Sequence, residues 1–211
     1  MKNILKYLAA SLMIVSLSSA KAEIQYGFGL ITGQTEVAGS ETEGGETNSK
    51  TIKELFLGGD IFVESVSDSG FTYGVSYVPL DIELGSGERA DVNTAADVAS
   101  EADTGTRTAS ADVSDLITVY TNIPMGSNGW YGLLGAHMTT ITTSETLVNS
   151  SYGNEDIFGA QIGLGKRTDK VKLELSYSDF EDISLSGSGG DNTSSISADA
   201  DVLSLRLSYG F

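Results

Sequence analysis

Few residues in this chain could do chemistry. Its 211 residues include one histidine and no cysteine, which excludes zinc sites built from nitrogen and sulfur ligands. No phosphate-binding loop or dinucleotide glycine pattern occurs. The histidine stands in His137-Met138-Thr139. A hydroxyl nucleophile needs an adjacent base and a third group to orient that base. No acid stands close by in this stretch, so the spacing alone is a weak catalytic signal, and a histidine packed inside the fold or near its rim is the plainer reading. Carboxylates are abundant, 29 Asp and Glu against 12 Lys and Arg. Many lie in Ser-, Thr- and Ala-rich segments, such as Glu36 to Glu46 and Glu88 to Asp103. These could hold calcium weakly, but none matches the regular D-x-[DN]-x-[DN]-G loop, and they read as solvated. Five charges differ in kind: Glu54, Asp60, Lys172, Glu174 and Arg206 sit within stretches that otherwise alternate apolar with small residues.

That alternation identifies the elements that must position them. In Leu203-Ser204-Leu205-Arg206-Leu207-Ser208-Tyr209-Gly210-Phe211 every odd residue is apolar and every even one small or polar. A period of two gives an extended strand one greasy face and one wet face. Seven further stretches behave similarly: about 24–33, 51–65, 71–84, 112–123, 130–143, 155–166 and 171–184. In the third, the apolar phase moves from Phe71, Tyr73, Val75 and Tyr77 to Leu80, Ile82 and Leu84, which predicts a bulge at Pro79. In the fifth the phase is ambiguous, because Leu133 and Leu134 are both apolar. The connections alternate long and short. Gln34 to Ser49, Gly85 to Ala111, about 144–154 and Ser186 to Ala200 are long and polar. Val66 to Gly70, Pro124 to Gly129 and Arg167 to Lys170 read as tight turns.

Residues 1–22 read as a cleaved secretory signal peptide. Lys2 and Lys6 precede an apolar stretch from Tyr7 to Leu17, and Ala20-Lys21-Ala22 carries small residues where a signal peptidase cuts. The apolar run is too short for a spanning helix, which needs about 20 residues. Residues 23–211 remain as one domain with 9 basic and 29 acidic residues, a net charge of −20. A surface that acidic repels nucleic acid.

Four long loops at one end and three tight turns at the other describe an all-β, eight-stranded antiparallel up-and-down barrel. Strands of 10 to 14 residues suit a transmembrane barrel, whose tilted strands cross in about 9–11. The soluble alternative is a lipocalin-like barrel with the apolar faces turned inward. The small residues of the wet faces, Gly27, Gly29, Gly58, Gly74, Gly163 and Gly165, suit a narrow lumen better than a solvated exterior. On this reading Phe56 and Phe62 fill the interior. Tyr26, Phe28, Phe71, Tyr73, Trp130, Tyr131, Tyr177, Tyr209 and Phe211 form interfacial girdles. Glu54, Asp60, Lys172, Glu174 and Arg206 point inward and pair, either as a salt-bridge plug or as a gated ion path.

With its leader, its strand pattern and the terminal Leu205, Leu207, Tyr209 and Phe211, the chain resembles the small eight-stranded outer-membrane barrels of the OmpA transmembrane domain and OmpX-like family. The last four match the C-terminal assembly signal of such proteins. The resemblance implies a monomer in the bacterial outer membrane, in contact with lipid, lipopolysaccharide and the barrel-assembly machinery. It implies a structural or surface-interaction role: membrane integrity, adhesion, or recognition through the acidic loops. No cofactor, no metal and no nucleic-acid partner is expected. A narrow ion or small-solute pore is one alternative. A lipid A-modifying enzyme using His137 and Thr139 is another, since deacylases of that kind carry a His and a Ser two residues apart; here the second position is Thr139. The barrel reading predicts heat-modifiable migration: after detergent extraction, unheated protein runs differently on a gel from heated protein. A chain soluble without detergent would contradict it.

Overall fold

The computed structural model describes residues 22–43, 46–91, 105–146, 151–187 and 195–211. The leader assigned to 1–22 and the tips of the four long loops fall almost wholly outside these. Ten strand segments follow in order: β1 (Glu23–Glu43), β2 (Glu46–Val66), β3 (Thr72–Val78), β4 (Ile82–Asp91), β5 (Gly105–Pro124), β6 (Trp130–Glu145), β7 (Asn154–Thr168), β8 (Val171–Phe180), β9 (Ile183–Ser186) and β10 (Ser195–Gly210). β3 with β4, and β8 with β9, are single staves interrupted at 79–81 and 181–182, so the ring has eight staves. All pairings are antiparallel between sequence neighbours. β10 also pairs with β1, from Gly27↔Gly210 to Thr42↔Ser195, and closes the sheet.

The strands run further than the alternation of apolar residues suggests. The polar segment 34–49 is not a long loop: β1 continues to Glu43, β2 begins at Glu46, and they stay in register from Gln34↔Leu55 to Glu43↔Glu46. Likewise β4 and β5 reach into 85–111, and β10 begins at Ser195 rather than after Ala200. Thr, Ser and Gly carry the backbone ladder here although they favour strands less than Val does; what those segments lack is a lipid-facing side, not strand structure. The tight turns are where expected. Gly70, Gly126 and Gly129 take φ of +86°, +78° and +77°, the left-handed region that glycine enters without penalty. One turn is shorter than expected, because β7 extends through Thr168 and makes Arg167 a strand residue.

The stave faces show why the chain reaches so far. From the turn end to mid-strand the outward side chains are apolar: Leu55, Leu57, Leu164, Leu175 and Leu203 are all more than half exposed on the outer wall. Beyond that band the outward residues become polar or charged, as at Glu36, Lys53, Asp179, Asp199 and Asp201. There the apolar residues turn inward and form a core of Leu84, Ile141, Ile157, Ile183, Leu185 and Ala198. Polarity is therefore inverted along the barrel axis. One half has a greasy outside and a polar lumen; the other has a polar outside and a greasy lumen.

The staves make the exchange in two ways. β1 and β10 swap apolar parity with no backbone irregularity, at the doublets Leu30-Ile31 and Val202-Leu203. β5 keeps apolar parity and flips its face at a bulge: between the pairs Ser114↔Thr140 and Ile117↔Met138, Asp115 and Leu116 oppose the single residue Thr139, and Asp115 has φ 55°. The third stave corrects the sequence reading. Val78, Ile82 and Leu84 all face inward, as do Gly74 and Ser76 before them. After Pro79, Leu80 is exposed in the interruption, and Ile82 and Leu84 do not continue the lipid face but enter the lumen. In β6 the ambiguity resolves with Leu133 inward and Leu134 outward. Tyr131 also points inward, not into the outer girdle.

Large rings lie over glycines on neighbouring staves. A Cβ on Gly74 would overlap the Tyr120 ring, one on Gly165 the Tyr131 ring, and one on Gly27 would meet Phe62 and the carbonyl of Tyr209. A narrow lumen holds these rings only where the facing wall is bare backbone. Gly74→Val should therefore expel Tyr120 and lower unfolding stability by about 1–3 kcal/mol, read as a lower urea midpoint of gel-shift unfolding. Gly87→Val, where nothing lies within 4 Å, should leave the midpoint unchanged.

Candidate functional site

The lumen is built in three layers. The layer nearest the tight turns is ionic. Glu64 accepts from Arg167 Nη2 at 2.5 Å, from Lys172 Nζ at 2.6 Å and from the Tyr120 hydroxyl at 2.9 Å. Arg206 donates to Asp60 through Nη2 at 2.7 Å and Nε at 3.1 Å, and to Glu174 through Nη1 at 2.6 Å. The Tyr131 hydroxyl donates to the other Glu174 oxygen at 2.8 Å. Phe62 lies between the two halves, with Lys172 Nζ 4.4 Å and the Arg206 guanidinium 4.9 Å from its ring centre. Three cations face three carboxylates, and both oxygens of each carboxylate bond to a charged or hydroxyl donor. That balance is what burial demands, because an unpaired charge there costs several kcal/mol.

Four of the five inward charges expected from the sequence, Asp60, Lys172, Glu174 and Arg206, meet in this layer. Glu54 does not. It has inward parity but is exposed, because β2 pairs with β3 only from Val66↔Thr72 to Ile61↔Tyr77 and no paired stave covers it beyond that point. The sequence reading missed Glu64 and Arg167. Both were recoverable: Glu64 shares the parity of Asp60 and Phe62, and Arg167 that of Gly163 and Gly165.

The middle layer is polar and uncharged. Thr118 Oγ1 is 2.8 Å from His137 Nδ1, and His137 Nε2 is 2.9 Å from Ser178 Oγ. Phe180 stacks on the imidazole at 5.3 Å between centres. Beside them Gln161 Nε2 donates to Ser176 Oγ at 2.9 Å, and Ser176 bonds Ser204 at 2.9 Å. Thr139 is not a partner of His137. Its hydroxyl donates to the Ser114 carbonyl at 2.7 Å, so the spacing that suggested a nucleophile and base does not bring the two together.

The third layer is the apolar core of the outer half. A cavity of about 90 Å³ lies at the polar layer and is lined by residues of all three layers, with the mutually paired Glu174 and Arg206 at its lower edge. A wider one of about 410 Å³ opens above it, and Leu84 and Ile141 line both. Their wall has a seam. Among the described residues β4 pairs only with β5, so β2 and β4 face each other without a backbone ladder. Side chains fill the seam instead: Ile82 packs toward Gly58, and Ile52 against Gly85. The rim outside is acidic. Asp199 has its pKa raised because its protonated form donates a hydrogen bond to Asp182, with the charges of Asp182, Asp201 and Asp179 adding repulsion. Among the described residues no group of three or more His, Cys, Asp or Glu could hold a metal.

No family model matches the chain, and no curated protein matches it in sequence. Solved structures do. The outer membrane protein OprG of Pseudomonas aeruginosa is 10% identical with a TM-score of 0.52, over 90% of this chain and 96% of that one. Neisserial surface protein A is 11% identical with a TM-score of 0.43, over 86% and 97%. The first likeness shows the fold: this chain is built as a small eight-stranded outer-membrane β-barrel. The second is too distant to carry an argument.

Because Glu64 serves two cations and a phenol, Glu64→Gln should cost about 3–5 kcal/mol, seen as a lower urea midpoint. Adding Lys172→Met should recover part of that loss, since the second change removes a stranded cation.

Proposed function

We propose that the chain is a bacterial outer-membrane barrel that works as a binding protein at the cell surface rather than as a conducting pore. Its leader directs it across the inner membrane, and the barrel-assembly machinery inserts it as a monomer among lipid and lipopolysaccharide. The observation that supports this is the inverted lumen. The ionic layer crosses the barrel on the side of the tight turns, where the polar lumen of a pore would have to run. The other half is an apolar cup, shaped like the inside of a soluble carrier and raised above the lipid band with an acidic rim. A cup of that volume with apolar walls and a few convergent polar groups is what small-molecule sites share.

The pore alternative needs the six ionic-layer groups to part, and each carboxylate has both oxygens bonded. The enzyme alternative has lost the pairing of His137 with Thr139. Surface recognition by the acidic loops remains compatible with the cup, and their tips lie outside the described residues.

The test uses the full chain in lipid nanodiscs with N-phenyl-1-naphthylamine as an apolar probe. Fluorescence above that of empty nanodiscs is expected, and Ile141→Glu should abolish the excess while leaving heat-modifiable migration intact. In planar bilayers the same protein should stay silent. Stepwise ion currents without excess probe binding would favour the pore.

A further inference from the structure

The cup is apolar on its walls and polar on its floor, and that asymmetry selects among ligands. Resting on the binding reading above, we propose that its ligand is a single-tailed amphiphile with a small carboxyl head, held head-down on Thr118, His137 and Ser178. Three observations converge. First, these side chains line the inner cavity while coming from three separate staves, β5, β6 and β8. Second, His137 uses both ring nitrogens on hydroxyls, at 2.8 and 2.9 Å, and on no carboxylate. Hydroxyls are weak, reorientable partners, so a stronger acceptor can take their place. Third, the acids nearest the axis, Asp60, Glu64 and Glu174, are already committed to Arg206, Lys172, Arg167 and two tyrosine hydroxyls. An incoming carboxyl group therefore meets an imidazole not yet paired with an acid.

The chemistry at the head is a proton transfer. The O–H bond of the carboxylic acid breaks, His137 Nε2 receives the proton, and the carboxylate accepts a hydrogen bond from that N–H and another from the Ser178 hydroxyl. A charge-assisted bond of this kind is roughly twice as strong as a neutral one, and it offsets the desolvation cost of placing both charges beside an apolar cavity. The tail then runs past Ile157 and Ile141 into the wider cavity, beside the seam where Ile52 and Ile82 rather than a backbone ladder close the wall. A cationic head would find no free acid at that floor.

His137 is the sole histidine of the chain, so its imidazole is a unique reporter of the head, and the δ1 methyl groups of Ile141 and Ile157 report the tail. The experiment titrates decanoate, decanol and decyltrimethylammonium into the full chain in nanodiscs and follows both signals by NMR. With decanoate, the imidazole and the two methyl groups should shift with one midpoint. Decyltrimethylammonium should bind at least about tenfold more weakly, with decanol between. His137→Gln should bring the three midpoints together while the methyl shifts persist. If all three probes shift the methyl groups equally and leave the imidazole unmoved, the cup takes tails without reading heads; this inference fails and the binding reading stands. If no probe moves the methyl groups, both fail.

Discussion

Closure of the backbone ladder is the constraint on which the rest depends. A peptide group facing hydrocarbon has no water to bond, so a strand crossing lipid must be paired on both edges. The pairing of β10 with β1 supplies the last ladder and makes a ring of what would otherwise be an open sheet. Closure by eight staves leaves a narrow lumen, filled by side chains rather than by solvent. Small residues must then face large ones, as Gly74 faces Tyr120 and Gly165 faces Tyr131. Charges that enter must balance, as the three cations and three carboxylates around Phe62 do. Among the described residues the ladder lapses between β2 and β4, beyond the pair Ile61↔Tyr77, and again between β7 and β9, beyond Gly159↔Phe180. The first lapse forms the seam of the cup. There Ile52 and Ile82 cover the backbone by packing instead.

The second constraint is the change of solvent along the axis. A single barrel stands partly in lipid and partly in water, and each stave must exchange its apolar face at the boundary. Both readings of the strand pattern are thus realised in one molecule: a membrane barrel below, and the inside-out arrangement of a soluble carrier above. The exchange explains features that look unrelated. Leu30-Ile31 and Val202-Leu203 are apolar doublets because one member ends the outer face and the next begins the inner one. Asp115 sits at a bulge because β5 keeps its apolar parity and must turn its backbone instead. The interruption between β8 and β9 has the same consequence, since Leu175 and Tyr177 face out while Ile183 and Leu185, of the same parity, face in.

The inversion also decides which residues can act together. In the lipid-embedded half the lumen is polar and its charged side chains satisfy one another. In the outer half the lumen is apolar and leaves space. The layer of Thr118, His137 and Ser178 lies where the two meet, with bonded charges on one side and open apolar volume on the other. Polar groups at such a boundary can change partners at small cost, whereas those of the ionic layer cannot.

Much of this is written in the order of residues. Alternation along 203–211 specifies a strand and its two faces, glycine-bearing turns separate the staves, and the count of strands follows from both. Even the inversion is legible in β10, where Ile196, Ala198, Ala200 and Val202 hold one parity and Leu203 to Phe211 the other. Other matters only the folded ring decides. Glu64 meets Lys172 across 108 positions and Asp60 meets Arg206 across 146, because register and stave order bring them to one level of the lumen. Glu54 shares their parity and stays outside, since its side of β2 lacks a paired neighbour. His137 bonds Ser178 rather than Thr139 because facing staves set what an inward side chain touches, while residues two apart on one stave are only stacked along the axis. Alternation fixes the face of a side chain; the partner on that face is set by the stave across the lumen, which no local pattern encodes.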